Sequence, residues 1–186
     1  MSLATPISRP RISIVPADNP VRIEAVRQLF KEYAASLSFD LCFQSFEDEL
    51  ASLPGEYGPL SGMLLLGLVD DQVAGCVAFH RLEGEMAGGR GGAPDVCEMK
   101  RLYVRPQFRG SGLGRELIDS ILNCAAAVGY RSIRLDTVPS EMTKAVEIYK
   151  KIGFVEIAPY RPNPIPGAKY MELDLKTWQA AIQRNQ

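Results

Sequence analysis

Residues Val104 to Gly114 read V-R-P-Q-F-R-G-S-G-L-G, and the fold is decided here. An apolar-rich run, Cys97 to Val104, leads into this stretch, and an amphipathic run follows it. The order is therefore strand, glycine-rich turn, helix N-terminus. The first backbone N–H groups of a helix have no partner within it. With the positive end of the helix dipole, they make a ready site for a phosphate or pyrophosphate. The stretch thus points to a phosphorylated ligand held largely by main chain.

Three phosphate-binding arrangements compete for the turn. A Walker A loop needs Lys-Ser or Lys-Thr after its glycines, and none follows here. A dinucleotide fingerprint needs G-x-G-x-x-G, whereas Gly110, Gly112 and Gly114 give G-x-G-x-G. The third arrangement is R-x-x-G-x-G, and Arg109 to Gly114 supplies its R-G-S-G-L-G turn. Glycine suits the turn because side chains would block a ligand from the backbone.

Elements extend outward on both sides. After the turn, Leu113, Leu117, Ile118, Ile121, Leu122 and Ala125 form one helical face, closed by Gly129. Ser132 to Val138 alternates as a strand. Met142, Ala145, Val146, Tyr149 and Ile152 predict a further helix, stopped at Gly153. Phe154–Ala158 and Lys169–Leu175 predict two last strands around a proline-rich loop. Before the turn, Val96–Val104 predicts a strand. Met63–Val69 and Val73–Leu82 predict a hairpin about Asp70-Asp71-Gln72. Residues 84–94 contain five glycines and predict a flexible loop. Phe46–Leu53 predicts a short helix, and Val21–Ser36 a longer one capped by Asp18 or Asn19. Arg11–Val15 predicts the first strand. Residues 1–10 read as a flexible N-terminal segment, and 11–186 as one domain. The expected class is α/β (α+β), a mixed central sheet flanked by helices, in the order β-α-α-β-β-β-α-β-α-β-β.

Composition bounds the function. The chain has 186 residues, 46% hydrophobic and 23% charged, with a formal net charge of -1. This balance and the lack of a basic run argue against a nucleic-acid partner. No apolar stretch reaches membrane-spanning length. Four widely spaced cysteines, with no C-x-x-C pair, fit a reduced, cytoplasmic setting. Cys97 and Cys124 read as core rather than as nucleophiles. With a single histidine and no paired thiols, no metal is expected.

Two segments together carry a family resemblance. One is Glu98-Met99-Lys100-Arg101-Leu102-Tyr103-Val104, then Pro106 and the R-G-S-G-L-G turn. The other is Ala145 to Phe154, which follows an A-x-x-x-Y-x-x-x-G-F pattern. The chain thereby resembles the GNAT superfamily of acetyl-CoA-dependent N-acetyltransferases. The resemblance implies an enzyme that moves an acetyl group from acetyl-CoA to a primary amine of a small molecule or peptide. Transfer would be direct, in a ternary complex. It implies that the backbone of Leu102, Tyr103 and Val104 runs beside the pantetheine arm. The amides of Arg109, Gly110, Ser111, Gly112, Leu113 and Gly114, with Arg115 nearby, would hold the pyrophosphate. The thioester would lie where the strand ending at Val104 splays from the one starting at Arg131. Met142 stands where the family often has asparagine. The rival readings are a non-catalytic CoA-binding regulatory domain of the same fold and a nucleotide-binding switch.

Acyl transfer to an amine needs a neutral amine, a stabilised oxyanion and a proton for the leaving thiolate. Glu98 is the candidate base, expected on one strand face with Lys100, Leu102 and Val104; its alternatives are pairing with Lys100 or Arg101 and binding the substrate ammonium. A base with a raised pKa would serve best. Tyr149 is the candidate acid, since a phenol is protonated at neutral pH. His80 is a candidate relay from Glu98. For the acceptor, Phe39, Phe43, Tyr160 and Asn163 are the candidate contacts, and Asp40 could meet a cation. The expected assembly is a monomer or homodimer.

Overall fold

The computed structural model describes residues 9–41, 45–83 and 96–184. The expectations for residues 1–8, for Phe43 and for the glycine-rich loop at 84–94 lie outside the described residues. The elements are β1 (Ile12–Pro16), α1 (Pro20–Ala35), α2 (Phe46–Ser52), β2 (Met63–Val69), β3 (Gln72–Arg81), β4 (Val96–Val104), α3 (Leu113–Val128), β5 (Ser132–Thr137), α4 (Thr143–Ile152), β6 (Val155–Ile157), β7 (Lys169–Asp174) and α5 (Leu175–Arg184). Asn19, not Asp18, caps α1, its side chain accepting from the Arg22 amide at 3.1 Å.

The sheet order is β1-β2-β3-β4-β5-β7-β6. Every neighbouring pair is antiparallel except β4 and β5. That parallel pair needs a crossover, and α3 provides it. The expected mixed sheet with helices on both faces is therefore present.

One element was not expected. α5 starts at Leu175, where the last strand was to end. The Asp174 carboxylate accepts from the Thr177 amide at 2.8 Å, which turns the chain out of β7. Leu175 and Trp178 are buried, and Ile182 packs beside them. Their spacing of three and four residues is a helical signal.

Each face of the sheet carries its own core. Leu65, Val77, Phe79, Cys97, Met99, Ile133 and Leu135 pack against α3, with Trp178 of α5. Leu64, Leu66, Cys76, Ala78 and Tyr103 pack against Val26, Leu29 and Phe30 of α1 and against Phe46 and Leu50 of α2. Two glycines let α3 come close to the first of these faces. A Cβ at Gly67 would meet Leu113 Cδ1 at 2.8 Å, and one at Gly75 would meet the Tyr103 carbonyl oxygen at 2.5 Å. The N-terminus of α3, and the glycine turn before it, are seated by that approach.

The alternation of β4 breaks in the middle. Ala78 pairs with Lys100 and Cys76 with Tyr103, so β4 carries one residue more than β3 across this step. Arg101 sits at φ +56 within it. This is a β-bulge, and it exchanges the faces of everything beyond it. Met99 and Leu102 both pack toward α3, while Tyr103 turns to the α1 side. The expectation that Glu98, Lys100, Leu102 and Val104 share a face is therefore corrected. A period of two cannot register an extra residue.

Candidate active site

The bulge and the parallel pairing open a cleft. β4 and β5 pair only at Val96–Ser132, Cys97–Ile133 and Glu98–Arg134. From Met99 to Val104, β4 has no partner on its β5 side, although both strands continue. The expected splay is thus where the sequence placed it. An unpaired strand edge offers backbone donors and acceptors to an extended ligand.

At the end of β4 comes the turn. Gly110 and Gly112 lie at φ +84 and +97, a region that L side chains disfavour. The Ser111 hydroxyl donates to the Phe108 carbonyl at 2.7 Å and accepts from the Leu113 amide at 3.3 Å. Among the described residues no acceptor lies on the amides of Gly110 and Gly112. A Cβ at Gly110 would meet nothing within 4 Å. Amides without an internal partner at a helix start fit a pyrophosphate. The two arginines are less committed to that space. Arg109 Nε donates to the Val104 carbonyl at 3.1 Å, and Arg115 pairs with Asp119 at 2.7 Å one helical turn on.

Tyr149 of α4 lines the cleft, together with Tyr33, Phe39, Leu135, Asp136 and Asn163. Its side chain is buried and its ring lies 5.5 Å from that of Phe154. Burial pushes the Tyr149 phenol well above its ordinary range, and that of Tyr33 up to about 12. Both are therefore protonated at neutral pH. Met142 leads into α4 without a side-chain cap, and the Thr137 hydroxyl lies 3.6 Å from its sulfur.

Glu98 is the hub of the opposite end. Its side chain is fully buried. The Tyr160 hydroxyl donates to Oε1 at 2.6 Å, and Arg161 Nη1 donates to Oε2 at 3.1 Å. His80 Nε2 lies 3.1 Å from Oε2, and Lys100 Nζ 3.7 Å from it. Burial alone would raise the carboxyl's pKa. The nearby Lys100 charge, the His80 hydrogen bond and Arg161 outweigh burial and hold it at about 2. The raised pKa wanted of a base is therefore not found at Glu98. The expected partner Lys100 is close by, but Arg101 instead clasps Glu49 of α2 through two nitrogens.

Tyr160 and Asn163 are both hydrogen-bonded to buried or half-buried carboxylates of this region. Tyr160 is bound to Glu98, with the Arg134 guanidinium 5.4 Å from its ring centre. Asn163 donates to Asp136 at 2.9 Å and lines the cleft with Phe39. Asp40 is exposed. Burial pushes the Cys76 and Cys97 thiols up, consistent with core positions.

The reading of the sequence missed Lys100, Arg101, Asp136 and Arg161 as site residues. Asp136 had a signal: Arg134 and Asp136 alternate with Ile133 and Leu135, which face the core. Arg161 lay inside a segment already singled out, and it pairs with Asp136 at 2.7 Å.

The parted strands, the glycine turn and a protonated phenol in the cleft fit an acyltransferase. The chain belongs to the GNAT acetyltransferase family, whose profile matches residues 23–154. An N-acetyltransferase of Schizosaccharomyces pombe is 39% identical over 165 residues, which span 88% of this chain and 95% of that protein. A GNAT-family acetyltransferase from Staphylococcus aureus shares the fold, with a TM-score of 0.67 at 17% identity, over 89% of this chain and 99% of that one. An acetyltransferase from Salmonella typhimurium, solved with acetyl-CoA, has a TM-score of 0.66 at 18% identity, over 88% and 94%. Among the described residues there is no cluster of metal-ligating side chains, and no helix is long and apolar enough to cross a membrane.

Proposed function

We propose that the protein moves the acetyl group of acetyl-CoA directly to a primary amine of a small molecule or peptide. The observation that carries this reading is the β4/β5 cleft with Tyr149 inside it. CoA supplies the acetyl thioester. The β4 edge from Met99 to Val104 flanks the pantetheine arm as an added strand, and the amides of Gly110 to Gly114 hold the pyrophosphate. Main-chain donors on the same edge stabilise the oxyanion. The amine nitrogen attacks the thioester carbon, the C–S bond breaks, and the sulfur takes a proton from the Tyr149 hydroxyl. The proton lost by nitrogen passes through water to Tyr149 and restores its phenol, so that no buried phenolate is left behind.

Glu98 takes a different part from the one its sequence position suggests. With its oxygens occupied and its charge held down to low pH, it acts as a positioning residue. It ties the loop carrying Tyr160 and Arg161 to His80 of β3 and Lys100 of β4. In this reading the acceptor enters as its neutral amine. The rate then rises with pH up to the amine's own pKa.

Steady-state kinetics over a panel of amines test the proposal. Thiol release should match acetylated product mass, and double-reciprocal lines should intersect. Parallel lines would indicate a covalent acetyl-enzyme. CoA binding without thiol release from any amine would point to a binding domain.

A further inference from the structure

The gap between β4 and β5 also joins the two faces of the sheet. Tyr149 belongs to the core on the α3 side, and Tyr33 of α1 packs on the core of the opposite side. Both line the same cleft, because β4 and β5 part beyond Glu98. Of the titratable groups near Tyr149, Tyr33 presses hardest on its phenol, ahead of Asp136. Two phenols thus enter the cleft from opposite faces.

Their hydroxyls differ from most others in the chain. Of the seven tyrosines, Tyr57, Tyr130, Tyr160 and Tyr170 each donate to a protein oxygen. Among the described residues, the hydroxyls of Tyr33 and Tyr149 donate to none and accept from none. Nor are they sealed in: among the described residues, the buried side-chain atoms left without a partner are Asp119 Oδ1 and Ser132 Oγ. Both hydroxyls therefore open into the cleft with an unused donor. A polar group left unpaired inside a half-enclosed cleft points to a ligand that pairs it.

A tetrahedral intermediate has two atoms that need a donor, the departing sulfur and the carbonyl oxygen. The attacking nitrogen needs none, because its lone pair becomes the new C–N bond. Tyr149 serves the sulfur in the reading above, so the oxygen is left for the phenol on the other face. We propose that the Tyr33 hydroxyl donates a hydrogen bond to the thioester carbonyl oxygen and holds it, with the main-chain donors of β4, as it becomes the oxyanion. As the amine adds, the π electrons of the carbonyl pass to its oxygen. As the intermediate collapses they return, and the C–S bond breaks to the sulfur, which takes the Tyr149 proton. Tyr33 keeps its own proton throughout. Burial holds its phenol neutral, with a pKa of about 12. This inference rests on the acyl-transfer reading, and the test keeps the two apart.

Tyr33→Phe is the test variant, because it keeps the ring that lies 6.1 Å from that of Tyr103 and removes only the hydroxyl. With no protein partner lost, its urea midpoint should equal that of the native protein. A lower midpoint would make the hydroxyl structural and overturn the proposal. The first readout is the infrared carbonyl band of bound acetyl-CoA labelled with carbon-13 at the carbonyl. The band should move to higher wavenumber in Tyr33→Phe and stay in place in Tyr149→Phe. The second readout is turnover with any amine that the native protein acetylates. There kcat should fall by about tenfold or more, toward the roughly 10²-fold of one lost oxyanion donor, with the KM for acetyl-CoA within about threefold. A band that does not move, or a kcat loss below about tenfold, overturns the role of Tyr33 and leaves acetyl transfer standing. A band that moves in a protein that acetylates no amine supports the Tyr33 contact and sinks the transfer reading. A protein that does not bind acetyl-CoA overturns both.

Discussion

At the end of β4 the protein offers bare main chain; six residues earlier, at Glu98, it offers buried charge. In the proposed reading the glycine turn binds with amides from one short run of sequence, held by two positive φ angles and a helix start. The Glu98 network is drawn from β3, β4 and the loop before β7, and its Tyr160 partner is 62 residues away. The comparison teaches where each half is vulnerable. The turn can be spoiled only by adding atoms. The network can be spoiled by removing a single charge.

The sharpest test of that contrast is Glu98→Gln. Removing one member of a buried ionic network leaves the others uncompensated, which costs about 3–5 kcal/mol. Urea unfolding should show this loss, and CoA affinity of the folded fraction should not change. The pH dependence gives the sign. The folded-state pKa of Glu98 is depressed to about 2. Its stabilising contribution is therefore present above the ordinary carboxylate range and is lost as pH falls toward about 2. The stability gap between the native protein and Glu98→Gln should narrow over that window. A gap that is flat there, or absent at neutral pH, would remove the network from the comparison.

Next in size is Tyr149→Phe, which takes one hydroxyl from the cleft between the two regions. General acid catalysis contributes about 10²-fold or more, so kcat should fall by about that factor. The KM for acetyl-CoA should move by less than about threefold, because the turn and the β4 edge are untouched. The pH profile of the native enzyme should show no alkaline limb from Tyr149 within the ordinary assay range. Burial disfavours its phenolate, and the acid stays protonated there. Equal losses in kcat and in cofactor binding would make Tyr149 part of the binding site.

The same contrast explains what could be read from the sequence. The turn, the cleft's position and Tyr149 were legible because each depends on residues close together in the chain. Gly110, Gly112 and the start of α3 are contiguous, and Tyr149 sits in a helix with its own spacing. The place of Glu98 on β4 was legible, but its state was not. That state depends on Tyr160, Arg161 and His80, brought together by strand order and by a loop. The bulge at Arg101 was hidden as well, since nothing in β4's composition marks an extra residue. It alone turns Leu102 away from the face that Lys100 occupies. α5 was legible in principle, through Leu175, Trp178 and Ile182, but the apolar end of β7 absorbed its first residue.

A smaller effect separates the turn's geometry from its binding. Gly112 and Gly129 cap the two ends of α3 at φ +97 and +102. Alanine at either should cost about 1–2 kcal/mol of stability, the penalty of a left-handed residue. In the proposed reading only Gly112 belongs to the turn that holds the pyrophosphate, and strain there shifts its amides. Gly112→Ala should weaken CoA binding by about tenfold beyond that shared loss, whereas Gly129→Ala should leave affinity as it is. Equal affinities in the two variants would mean that the amides at the turn do not face the ligand.

The smallest effect tests whether this half of the molecule depends on side chains at all. Arg115 projects from the first turn of α3, half-exposed and paired with Asp119. If backbone donors hold the pyrophosphate, Arg115→Ala should weaken CoA binding by less than about threefold, the range of an exposed ion pair. The remaining affinity should depend only weakly on salt, because dipoles and amides carry no net charge to be screened, whereas an arginine contact would fade as ionic strength rises. A tenfold loss with Arg115→Ala, vanishing at high salt, would make the turn a charge-based site like the one around Glu98. The two ends of β4 would then differ in exposure and no longer in kind.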